Sequence, residues 1–137
     1  MADTDGVDPS GVTEAVAERY REILPAEFTV ETNGPFLTWR ASGSGASSMF
    51  FGNWMLHVPW LSKTARLERF AQMAFGKLPR EVASVMNRNP SLVWPARGTT
   101  CHVRVTDSEV HIWFGMTDQE ADAVLKVRPI SREELGI

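Results

Sequence analysis

The chain holds one cysteine, Cys101, among 137 residues, so no intramolecular disulfide can form. It shows no basic-then-apolar leader and no uninterrupted apolar run of the roughly 18 residues a membrane helix needs. These absences argue against secretion and membrane insertion, and the cytoplasm is the expected compartment.

Short chemical motifs are missing as well. There is no nucleophile elbow, no paired-carboxylate motif, and no close-spaced ligand pair such as His-x₃-His or Cys-x₂-Cys. Gly43-Ser44-Gly45 precedes a strand-like segment, whereas a phosphate cradle opens a helix. A metal site on His102 and His111 would need a third ligand such as His57 from another part of the chain. The sequence therefore proposes no metal, no cofactor and no reaction.

A chain of this length can bury one sizeable core without staples, since folding hides roughly two thirds of the surface the unfolded chain exposes. The net charge of −3 conceals an uneven distribution. Residues 1–34 and 105–137 are acidic, while residues 62–104 carry eight bases against two acids. The central segment either neutralises the acidic ones within the fold or presents a basic patch to an acidic partner. Arginine outnumbers lysine eleven to three, a bias that a GC-rich genome produces as readily as a binding demand.

Residues 1–8 are polar and aperiodic, and are expected to form a frayed tail ahead of a single α+β domain over 9–137. Asp8-Pro9 opens a helix with Val12, Val16, Tyr20 and Ile23 at helical spacing, which Pro25 ends near residue 24. The period then becomes two. Phe28 to Thr32 and Phe36 to Ala41 flank Asn33-Gly34-Pro35 as a hairpin, with Leu37, Trp39 and Ala41 facing inward. Ser42 to Ser48 reads as a flexible connection, and Met49 to about Val58 as a third strand, apolar on both faces, with Gly52 as a possible bulge.

Ser62 caps a second helix that turns Leu67, Phe70, Ala71, Ala74 and Leu78 to one side. Pro79 starts a short third helix carrying Val82, Val85 and Met86, ended by Asn89-Pro90. After an irregular stretch from Ser91 to Gly98, Thr100 to Gly115 reads as two alternating strands around Asp107-Ser108. That register pairs Val105 with Val110, Arg104 with His111, Val103 with Ile112, His102 with Trp113 and Cys101 with Phe114. Thr117 with Glu120 has capping-box spacing and predicts a helix to about Lys126, and Ser131 with Glu134 repeats the signature. The expected fold is α+β, one largely antiparallel sheet of about five strands with helices packed on one face, in the order α-β-β-β-α-α-β-β-α.

The hairpin register sorts the candidate site residues. Cys101 falls on the apolar face, so its thiol should be buried, with a raised pKa and little reactivity. His102, Arg104, His111 and Trp113 share the other face. The plain reading is a solvated surface with Arg104 packed on Trp113; the sharper one is a recognition surface of binding-type residues. A second candidate is an aromatic pocket bordered by Trp54, Trp60 and Trp94. A third is a basic patch of Arg66, Arg69, Lys77 and Arg80, against which the acidic pI of about 5.6 counts.

The leading expectation is a small protein-interaction module, an adaptor, chaperone-like or regulatory domain, meeting a protein partner or a second copy of itself through the outer sheet face. The alternatives are a small-molecule binding domain or enzyme using the aromatic pocket, and nucleic-acid binding through the basic helices.

Overall fold

The computed structural model describes residues 9–41, 48–50, 53–88, 94–96 and 98–137. Helix α1 (Pro9–Ile23) buries Val12, Val16, Tyr20 and Ile23 as its period requires. Strands β1 (Phe28–Asn33) and β2 (Phe36–Ala41) pair antiparallel from Asn33↔Phe36 to Phe28↔Ala41. The chain reverses through Gly34, whose φ of 59° is the left-handed conformation that only glycine adopts without strain. Leu37, Trp39 and Ala41 are buried on the inner face of β2, as alternation dictates.

The expected third strand is mostly not a strand. β3 covers only Ser48–Phe50, paired with β2, and Asn53–His57 forms a 3₁₀ turn. The turn directs Met55 and Leu56 inward and leaves Trp54 and His57 outside. A short apolar run fits a buried helical turn as well as a central strand, and periodicity cannot separate them.

Helix α2 (Lys63–Phe75) begins where Ser62 Oγ accepts the Ala65 N–H at 3.1 Å. It buries Leu67, Phe70, Ala71, Ala74 and Phe75. Helix α3 (Leu78–Arg88) takes Pro79 in its first turn and buries Leu78, Val82 and Met86. Strands β4 (Thr100–Val105) and β5 (Glu109–Gly115) pair in the register read from the sequence, Cys101↔Phe114 through Val105↔Val110.

The helix expected from Thr117 to Lys126 is absent. Its place is taken by a 3₁₀ turn, Glu120–Asp122, and by β6 (Leu125–Ser131), which pairs antiparallel with β5 through a bulge between Val110 and Ile112. Glu120, the reciprocal partner a capping box needs, is turned toward Arg104 instead. The Ser131–Glu134 box does form: Glu134 N–H donates to Ser131 Oγ at 3.0 Å and Ser131 N–H to Glu134 Oε1 at 2.9 Å. It organises consecutive turns, not a helix.

The α+β class and most of the element order hold, but a single sheet of five strands does not. The strands form two three-stranded antiparallel sheets, β1-β2-β3 and β4-β5-β6. Their apolar faces share one buried cluster with the helices: α1 contacts β1, β2 and β6, and α2 contacts β4 and β5. At its centre Tyr20 packs edge-on against Trp39 (4.9 Å) and Phe75 (5.2 Å) and donates its hydroxyl to the Ala74 carbonyl. The residues of the expected tail (1–8), the Ser/Gly connection (42–47), Gly52 and Asn89-Pro90 lie outside the described residues. Among the described residues, no helix is long and apolar enough to cross a membrane.

Candidate functional site

Alternation along β4 and β5 places His102, Arg104, His111 and Trp113 on the face away from the core, as the register requires. The face is not a solvated plane. Trp113 is only 4% exposed, and its ring stacks on His102 with centroids 5.9 Å apart and planes at 27°. Arg104 pairs with Glu120 at 2.6 Å, in place of the packing on Trp113 expected from the sequence. His111 stands 3.3 Å from Glu109 and 3.9 Å from Glu120. The Arg104 hydrogen bond holds the Glu120 carboxyl below its usual range, and His111 and Lys126 add to the effect.

The chain that follows β5 returns to this face. Val124 N–H returns to the Phe114 carbonyl at 2.9 Å, and a Cβ on Gly115 would meet the Asp122 carbonyl at 3.4 Å and Ala123 Cα at 3.5 Å. Glu120 is held three pairs along the ladder from Cys101↔Phe114, at Arg104 and His111. Residues 116–124 therefore double back over the outer face, anchored on either side of the His102–Trp113 pair. The indole Nε1 of Trp113 is buried and has no hydrogen-bond partner among the described residues.

The three tryptophans of the expected pocket differ in exposure. Trp94 is 4% exposed, donates Nε1–H to the Ile23 carbonyl at 2.7 Å and meets Phe114 edge-on. Trp54 and Trp60 are exposed by 48% and 80%. Helix α2 and the Asn53–His57 turn form an open groove of about 420 Å³ lined by Met55, Glu68, Arg69, Gln72 and Met73. Trp54 directly precedes Met55, and Trp60 lies two residues before the α2 cap. The two methionines carried no signal in the sequence, since an apolar residue on a helix flank reads as core.

The basic residues are dispersed in their roles. Arg66 donates Nε–H to the Val58 carbonyl at 2.7 Å, and Lys77 Nζ sits 5.3 Å from the Trp39 ring centre. Arg69 lines the groove, and Arg80 is exposed on α3. Cys101 is buried, and burial pushes its thiol up to about 12. His57 is exposed on its turn, and among the described residues no group of three His, Cys, Asp or Glu is placed to hold a metal ion.

No family model, curated protein or solved structure matches the chain. The site must be read from its own geometry.

One residue with no place in the sequence reading organises the far side of the fold. Arg19 is fully buried and bonds the Arg128 and Pro129 carbonyls of β6 at 3.2 and 2.7 Å and both carboxylate oxygens of Glu134 at 2.8 Å. A signal existed: Arg19 is three residues after Val16 and four before Ile23, which places a charge in the apolar stripe of α1.

Proposed function

We propose that this chain is a protein-interaction module whose principal docking surface is the groove beside Trp54 and Trp60. The observation that carries the proposal is a contrast between tryptophans. Trp39, Trp94 and Trp113 are each at most 4% exposed, while Trp54 and Trp60 are exposed, and Trp54 directly precedes the groove residue Met55. Exposed large aromatics with methionine and arginine at hand are the composition of interface centres. Methionine side chains also adapt to the shape of an incoming apolar group.

The partner that fits is an amphipathic segment of another protein. Its apolar anchors enter between Met55 and Met73, and its acidic side chains meet Arg69 on the rim and exposed Lys63 on the first turn of α2. This keeps the interaction class expected from the sequence but moves its main surface from the outer sheet face, where Trp113 is covered, to α2.

The test compares captured proteins across variants. A partner held by the native chain at high salt should be lost by Trp54→Ser/Trp60→Ser and by Met73→Glu, and kept by Arg80→Gln. An unchanged set of captured proteins in the groove variants would refute the groove. Sedimentation of the native chain identifies a second copy as the partner if a dimer is present and the same variants dissolve it.

A further inference from the structure

We infer that the outer face of β4–β5 is a second docking surface, for an extended acidic segment of a partner protein, and that residues 116–124 occupy it as an intramolecular strap. The inference is independent of the groove on α2.

Charge complementarity defines the occupant. The face offers Arg104, His102 and His111, with Lys126 opposite Trp113 on β6 and one acid, Glu109, beside His111, whereas the strap carries Asp118, Glu120 and Asp122 and no base. One strap carboxylate, Glu120, already lies between Arg104 and His111. A competing segment must supply a carboxylate at the same place.

The strap is an incomplete occupant. With the strap in place, Trp113 is buried and its indole N–H has no acceptor among the described residues. A partner segment with a carbonyl or carboxylate over Nε1 would satisfy a donor that the strap does not, which favours exchange. The strap is also lightly held. Met116 is 77% exposed, Asp118, Gln119, Ala121 and Asp122 are exposed, and the Thr117–Asp122 hydrogen bond lies within the strap itself. A segment that buries so little of itself opens at low cost compared with the sheet beneath it.

The probe is a synthetic peptide of the strap's own sequence, Met116 to Val124, added to the full chain labelled with ¹⁵N, with the Trp113 indole signal assigned by its loss in Trp113→Phe. In Glu120→Ala the strap loosens. Hydrogen exchange at the Trp113 indole should then rise about fivefold, the scale set by one partly exposed ion pair. The peptide should shift the Trp113 and His102 signals in this variant and bind the native chain correspondingly more weakly. The charge swap Arg104→Glu with Glu120→Arg should restore native protection. Unchanged indole exchange in Glu120→Ala, equal binding of a peptide with its three acids replaced by amides, or shifts confined to Trp54 and Trp60 would each overturn the inference. Unmoved Trp39 and Trp94 signals certify the fold in every variant.

Discussion

Arg19 and Glu134 stand 115 positions apart in the chain and face each other through two parallel hydrogen bonds of 2.8 Å, guanidinium to carboxylate. The guanidinium is wholly buried, while the Glu134 side chain keeps 35% of its surface in water. Removing the arginine deletes a set of bonds to β6; removing the glutamate leaves a buried cation short of its counter-charge. Arg19→Ala is expected to cost about 3 kcal/mol in a urea titration and Glu134→Gln about 1–2 kcal/mol, less because water reaches the carboxylate. A loss of only a few tenths for Arg19→Ala would show that the buried network adds nothing net.

The same pair sets an acid limit. The Arg19 hydrogen bonds, aided by the Ser131 N–H and hydroxyl, lower the Glu134 pKa from its ordinary 4.5 to about 2. A depressed carboxylate stabilises the fold above its unfolded pKa, and that contribution is lost as pH falls through the folded one. Stability should therefore decline between about pH 4.5 and 2. Most of this decline should vanish in Glu134→Gln, and thermal melts of the two proteins across that range test the assignment.

Trp39 is 2% exposed, meets Tyr20 edge-on and lies beneath Lys77. Trp39→Ala should cost about 3–5 kcal/mol. Lys77→Met should be close to neutral, because the cation contributes little beside the burial of the ring. Comparable losses for the two would mean that the cation, not the packing, holds the indole.

Cys101 is paired with Phe114 inside the second sheet, and its thiol is raised from 9.0 to about 12 by burial. At neutral pH a thiol reagent should label the native chain only through opening of the sheet, so labelling should accelerate sharply at the unfolding midpoint in urea. Rapid labelling without denaturant would contradict the register of β4 and β5.

Much of this fold is written locally, and the errors have local causes. The β4–β5 ladder was legible because residues 100–115 alternate without interruption around Asp107-Ser108, which leaves one apolar face. β6 was not, because Thr117 and Glu120 have the spacing of a helix start, while the contact that redirects Glu120 is with Arg104 on another strand. Met49 to Val58 failed for a related reason: an apolar run without alternation does not report its own period. The division into two sheets depends on pairings between distant segments, about which periodicity is silent.

The candidate site shows the same division. The sequence placed His102, Arg104, His111 and Trp113 on one face, and the ladder does so. That the chain then folds back over this face is a tertiary fact, carried by the Glu120 pair with Arg104 and the Val124 N–H bond to the Phe114 carbonyl. The exposure of Trp54 and Trp60 was equally hidden, since tryptophan defaults to the interior.

The Arg19 network also bears on how the chain is made. Its acceptors, the carbonyls of Arg128 and Pro129 and the carboxylate of Glu134, follow Arg19 by 109, 110 and 115 positions. Helix α1 can coil on the ribosome but cannot seat its arginine until β6 emerges. A nascent or truncated chain ending before β6 carries a cation in an apolar stripe without these acceptors, so docking of α1 waits for β6 and Glu134 to be made.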